Sequence, residues 1–168
     1  MERKDVITFA GSPLTLVGKE VIVGDVAPNF TVTKTDLSPL SLNDLNGKTV
    51  VISAMPSIDT PVCEMQTIRF NKEAAKLEDI IILTISMDLP FALNRFCGAK
   101  DVKNAITTSD YKDRKFSHNY GLYIKELGLT SRAVIIIDKN GKIAYTEYLK
   151  EITEEPNYDA ALEALKKL

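Results

Sequence analysis

Thr49-Val50-Val51-Ile52-Ser53-Ala54-Met55-Pro56-Ser57-Ile58-Asp59-Thr60-Pro61-Val62-Cys63 is the stretch whose reading decides the fold. Its first six residues form a largely apolar, uncharged run, which reads as a strand buried on both faces. The residues after it open a helix. Thr60 suits the N-cap, because its hydroxyl can accept from an unpaired backbone N–H. Pro61 then falls at the first helical position, where its missing donor costs nothing and its fixed φ fits. Cys63 occupies the third helical position, where a capping box would hold Glu or Gln. The free N–H groups and the helix dipole favour an anion there, so Cys63 is expected to ionise more readily than a free cysteine. The alternative, a cysteine acting as a small buried hydrophobe, weighs less because cap, proline and a second cysteine occur together.

Working outward, the helix is expected to run to about Leu77, followed by a second buried strand, Ile80-Ile81-Ile82-Leu83-Thr84-Ile85-Ser86. Strand, helix and strand in this order predict a right-handed parallel crossover. Cys63 would then lie just beyond the carboxyl end of a central strand, where open α/β sheets place their sites. A helix from Pro90 through Arg95-Phe96-Cys97 is expected to stop at Gly98. Cys97 would therefore sit at the negative end of a helix dipole and stay neutral. Upstream, Val6–Phe9 and Leu14–Val17 read as a hairpin, with Val21–Val23 continuing the extended chain. Thr31–Thr33 and Ala105–Thr108 are candidate short strands, Ser41–Leu45 a helical turn, and Phe116 to about Leu122 a helix. Ala133–Ile137 and Lys142–Thr146 flank an Asn140-Gly141 turn, the clearest hairpin signal. Tyr158–Leu168 reads as a closing amphipathic helix. The expected architecture is α/β: a central mixed sheet flanked by helices, of thioredoxin-like type, with an N-terminal β-hairpin. No repeat or linker is visible, so residues 1–168 are expected to form a single domain.

The composition is that of a soluble globular protein: 45% hydrophobic and 26% charged residues are ordinary values. A net charge of −2 offers no basic patch for nucleic acid. No stretch approaches the roughly 18 apolar residues of a membrane span. Met1 to Pro13 lacks the apolar core of a signal peptide, giving the expectation of a cytoplasmic protein. The two cysteines would there be catalytic, redox-active or metal-binding rather than a permanent staple. A metal site with His118, the sole histidine, would need a fourth ligand, and no spacing resembles a zinc pattern.

Pro56-x-x-x-Thr60-x-x-Cys63 is similar to the active-site pattern of peroxiredoxins. A longer likeness extends to Gly24-Asp25-x-Ala27-Pro28-x-Phe30, Asp88-Leu89-Pro90-Phe91, Arg95-Phe96-Cys97-Gly98-Ala99, Ser131-Arg132-Ala133-Val134 and Glu151-Ile152-Thr153-x-Glu155-Pro156. Over essentially its whole length the chain resembles the bacterial thiol peroxidase branch, the atypical 2-Cys peroxiredoxins. This resemblance implies a cofactor-free, thioredoxin-dependent peroxidase that binds no metal and reduces hydrogen peroxide and organic (alkyl) hydroperoxides in antioxidant defence. It implies Cys63 as peroxidatic nucleophile and Cys97 as resolving cysteine in the same subunit, joined by an intrasubunit disulfide. Thr60 and Arg132 would hold the thiolate and the peroxide, and Pro56 would shield the sulfur. Thioredoxin as reductant and a homodimer are implied in the same way.

The chemistry fits those residue types. A thiolate attacks the terminal peroxide oxygen and becomes a sulfenic acid; a second thiol condenses with it, and the disulfide is reduced by thiol exchange. Ionisation alone gains roughly tenfold, about 1.5–2 kcal/mol, against the ~8 kcal/mol or more that enzymes supply. The remainder falls to charge stabilisation by Arg132, the Thr60 hydroxyl and backbone N–H groups. Met87, Leu89 and Phe91 either line an apolar pocket for alkyl hydroperoxides or pack in the core. Two other functions stand beside the peroxidase. One is a general thiol-disulfide oxidoreductase, weakened by the lack of Cys-x-x-Cys. The other is a peroxide-sensing redox switch acting through a regulatory partner.

Overall fold

The computed structural model describes residues 1–168, apart from the side chain of Ala74. The expected crossover is at its centre. Strand β5 (Thr49–Ala54) leads through helix α1 (Pro61–Ala74) into β6 (Ile80–Ser86), and the two strands pair in parallel from Thr49 opposite Ile80 to Ala54 opposite Ile85. Helix α2 (Pro90–Lys100) then leads to β7 (Ile106–Ser109), parallel to β6. On the other side β10 (Ala133–Ile137) runs antiparallel to β5 and forms a hairpin with β11 (Ile143–Tyr148). With β3 (Thr31–Lys34) and β4 (Pro39–Ser41) added beside β7, the sheet has the order β11-β10-β5-β6-β7-β3-β4. It is mixed, as expected. A second, antiparallel sheet has the order β1-β2-β8-β9, built from the N-terminal hairpin β1 (Glu2–Phe9) and β2 (Ser12–Val17) and the short pair β8 (Tyr123–Ile124) and β9 (Leu129–Thr130).

Alternation along β5 divides the core. Val50, Ile52 and Ala54 face one apolar cluster with Phe30, Phe116 and Tyr120, while Val51 and Met55 face another with Phe70, Leu93 and Phe96. This is the period-2 geometry of a strand whose faces are both covered. The second cluster packs α1, α2 and α4 (Tyr158–Leu165) on one face, and Cys63 belongs to it. A third cluster, including Ile7, Leu16, Ile124 and Ile152, backs the small sheet.

Several boundaries depart from expectation for local reasons. Helix α1 stops at Ala74 because the chain must turn, with Asp79 in the left-handed region (φ 59), to enter β6. Helix α2 passes through Gly98 and ends at Lys100, where Asp101 (φ 55) takes the left-handed position and its N–H bonds the Cys97 carbonyl. Gly98 is thus an ordinary helical residue. Val21–Val23 form no strand. Gly18 (φ +101) turns the chain where it crosses Gly121 (φ +65), and a Cβ on Gly18 would stand 2.1 Å from the His118 carbonyl oxygen. Gly121 also ends the helical path early, leaving α3 as Lys115–Asn119.

Candidate active site

The carboxyl end of β5 delivers the chain to Pro56, which is buried, and then to a loop pinned by Asp88 just after β6. The Asp88 carboxylate accepts from Ser57 Oγ (2.7 Å) and from the Ile58 N–H (2.9 Å), and Ser86 Oγ donates to it as well (2.7 Å). Held there, the loop sets Thr60 in extended geometry (φ −104, ψ 146) as the N-cap of α1. Its Oγ1 accepts from the Cys63 N–H at 3.4 Å, the capping bond expected at the third helical position. The Thr67 hydroxyl, one turn on, donates to the Cys63 carbonyl at 2.9 Å. The backbone of Cys63 is therefore held from both sides.

Arg132 enters from the residue before β10, the strand paired with β5, which brings it across to the start of α1. It is 1% exposed, not a surface ion pair at a strand start. Its Nη2 donates to Cys63 Sγ at 3.0 Å, its Nε donates to the Ile152 carbonyl at 2.9 Å, and its Nη1 donates to Gln66 Oε1. Gln66 is fully buried and is itself oriented by donating from Nε2 to Ser53 Oγ at 2.7 Å. All three directions of the guanidinium fork are used, which fixes its plane. A fixed cation against the sulfur stabilises negative charge there and on oxygen atoms brought beside it.

Outside this pair lies an apolar cleft of about 420 Å³, lined by Phe9, Pro56, Thr60, Pro61, Val62, Leu127, Leu129, Arg132, Ile152 and their neighbours. Thus Pro56, Thr60 and Arg132, all expected at the site, line this cleft, and Thr60 and Arg132 also contact Cys63, which is itself fully buried. Leu89 and Phe91 do not line this cleft. Both are exposed at the start of α2, and the apolar walls come instead from the hairpin tip, the β8–β9 turn and Ile152. Cys97 also lies elsewhere. It is half-buried in the last turn of α2, packed against the same apolar cluster as Cys63, and its thiol donates to Thr107 Oγ1 at 3.3 Å. Both cysteines are free thiols.

Residues 22–162 match the Redoxin family pattern. The chain belongs to the redoxin family. It is 54% identical over 162 residues to the thiol peroxidase of Bacillus subtilis, covering 96% of this chain and 97% of that protein. To the thiol peroxidase of Streptococcus pneumoniae it is 49% identical, covering 96% and 99%. A peroxiredoxin-like protein from Aquifex aeolicus superposes with a TM-score of 0.92 at 42% identity, over 97% of this chain and 96% of its own. The chain thus falls on the thiol peroxidase branch of peroxiredoxins, and the thioredoxin-like α/β fold expected from the strand order is the one found. Sequence reasoning passed over two parts of this redoxin's site. Gln66 carried a readable signal, since it follows Cys63 by one helical turn and so shares its face. The Ile152 carbonyl carried none, because a backbone acceptor has no residue-type signature.

Proposed function

We propose that this chain is a thiol-dependent peroxidase in which Cys63 is the nucleophile and Cys97 the resolving thiol. The observation that carries the reading is the 3.0 Å contact of Arg132 Nη2 with Cys63 Sγ beside an apolar cleft. The Cys63 thiolate attacks the terminal oxygen of a hydroperoxide. The O–O bond breaks, its electron pair leaves on the distal oxygen, and that oxygen takes a proton to become water or an alcohol. Arg132 and the Thr60 hydroxyl stabilise charge on the separating oxygens. The Cys97 thiol then attacks the sulfenic sulfur, water departs, and a Cys63–Cys97 disulfide remains. Pro56, buried beside the loop, shields the sulfur from bulk water. The apolar cleft walls favour the organic group of alkyl hydroperoxides, with hydrogen peroxide also accepted.

Forming that disulfide requires the two Cα atoms to come within about 7 Å. In this reading Cys97 releases Thr107 and the last turn of α2 opens to bring its thiol to Cys63. The whole chain, 1–168, then acts as one domain in the cytoplasm, as a homodimer, with thioredoxin supplying the electrons that reopen the disulfide. No helix among the described residues is long and apolar enough to cross a membrane.

The test is NADPH oxidation in a mixture of this protein, thioredoxin, thioredoxin reductase and either hydrogen peroxide or cumene hydroperoxide. Turnover is expected with both and is expected to vanish in Cys63→Ser. Turnover that survives in Cys63→Ser would overturn the assignment.

A further inference from the structure

Glu151 has no part in the reaction as written above, yet it stands between the cleft-lining residues Ile152 and Thr153 and the N-terminal hairpin. The turn joining β1 to β2 places Ala10 (φ 48) and Gly11 (φ 82) in the left-handed region. Ala10 is disfavoured there. The Glu151 carboxylate closes over this turn. Oε1 accepts from the Ala10 N–H (3.1 Å), the Thr153 N–H (3.0 Å) and Thr153 Oγ1 (2.7 Å). Oε2 accepts from Thr8 Oγ1 (2.7 Å) and the Gly11 N–H (3.1 Å). The main chains are laced beside it, with the Thr8 N–H donating to Lys150 O at 2.6 Å and the Ile152 N–H donating to Thr8 O at 3.0 Å.

Two consequences meet at the cleft. The Ile152 carbonyl accepts from Arg132 Nε, so the clamped segment sets one of the three anchors of the guanidinium. Phe9, at the tip of the clamped hairpin, forms part of the cleft wall together with Ile152 and Thr153. We propose that Glu151 is a positioning residue for peroxide reduction: it holds the hairpin tip and the 150–153 segment together, and so fixes both the orientation of Arg132 and the Phe9 wall that receives the organic group of a hydroperoxide. The inference rests on the assignment of Cys63 and Arg132 made above. A carboxylate is the side chain the site demands, because donors surround both of its oxygens. An amide in its place would turn an NH₂ group toward at least one backbone N–H, whichever way it were flipped.

The test compares three second-order rates on fully reduced protein: Cys63 oxidation by hydrogen peroxide, Cys63 oxidation by cumene hydroperoxide, and Cys63 alkylation by iodoacetamide. In Glu151→Gln the hydrogen peroxide rate is expected to fall roughly tenfold, within what misplacement of a positioned group costs. The cumene hydroperoxide rate falls further, so the ratio of the two peroxides shifts. Alkylation needs the thiolate that Arg132 supports but neither the wall nor charge stabilisation on separating oxygens, so it falls less than either peroxide rate; general loosening of the fold would change all three alike. Peroxide rates within twofold of wild type would overturn the proposal, as would oxidation and alkylation falling by the same factor. If Glu151→Gln does not fold, Thr153→Val, which removes one hydroxyl donor to Oε1, is expected to shift the peroxide ratio in the same direction. An unchanged ratio there overturns it too. A wild-type protein whose Cys63 resists both peroxides would instead refute the underlying reaction, and this inference with it.

Discussion

Arg132→Lys separates charge from geometry at the proposed site. Lysine keeps the positive charge but offers one compact ammonium in place of a planar fork. In wild type the fork makes three bonds at once, to Ile152 O, Gln66 Oε1 and Cys63 Sγ. The ammonium cannot reach three points spread around a guanidinium plane, and the carbonyl acceptors are the ones nearest its stem. The donor facing the sulfur and the incoming peroxide is therefore lost, together with one of the two carbonyl contacts. Removing one preorganised donor from a developing oxyanion costs about 2.7–4 kcal/mol, or 10²–10³ in rate. The second-order rate of Cys63 oxidation, followed by stopped flow with hydrogen peroxide, should fall by about that factor. Stability should fall separately, by about 1–3 kcal/mol, because at least one of the buried acceptors on Gln66 and Ile152 loses its partner. Urea unfolding measures that term. An Arg132→Lys variant that oxidises within threefold of the wild-type rate would refute the reasoning, since charge alone would then suffice.

Thr60→Val should cost about 1 kcal/mol of stability through the lost cap and also slow peroxide oxidation, whereas Thr60→Ser should preserve both; urea unfolding and stopped flow report this, and a serine variant as impaired as the valine would count against the hydroxyl. Cys97→Ser should consume one equivalent of peroxide, leave Cys63 as a sulfenic acid by mass spectrometry, and fail to turn over with thioredoxin. Hydrogen exchange over residues 89–104 should show less protection in the oxidised wild-type protein than in the reduced one, because α2 opens to form the disulfide; equal protection would contradict that motion. Hydrogen bonds, led by those from the Thr8 and Thr153 hydroxyls, hold the Glu151 carboxyl at about 2 instead of its ordinary 4.5. The folded state thus binds this proton less readily than the unfolded one, so its contribution is complete above about pH 4.5 and is lost as pH falls toward 2. The gap in melting temperature between wild type and Glu151→Gln should be wide at pH 6 and narrow at pH 3; a gap equal at both would exclude this linkage.

The parts of the fold legible in the sequence were those governed by local rules. The uncharged runs at Thr49–Ala54 and Ile80–Ser86 became strands at those bounds, because a strand covered on both faces needs an unbroken apolar run. The Thr60-Pro61 helix start and the Asn140-Gly141 hairpin followed from capping and turn stereochemistry. Long-range contacts decided the rest. The two-residue strands β8 and β9 exist only because β2 offers them an edge, with Leu16 opposite Ile124. Val21–Val23 have the residue types of a strand, yet the chain after Gly18 must pass Gly121 and then reach β11, where the Gly24 N–H bonds the Ile143 carbonyl. At the site, side chains near Cys63 in sequence were readable. The hairpin tip is more than a hundred residues from Glu151 in sequence, and no local pattern announces that they meet.

Arg132 is almost wholly enclosed, and among the described residues no carboxylate forms an ion pair with it. Its other two partners, an amide and a peptide carbonyl, are neutral. On the proposed reaction the only counterion it ever has is the sulfur, and that counterion is consumed each time a peroxide is reduced. A solitary cation left inside a protein is costly. The disulfide form therefore carries a built-in incentive to loosen around Arg132 and admit water, and rereduction restores the pairing that tightens it again.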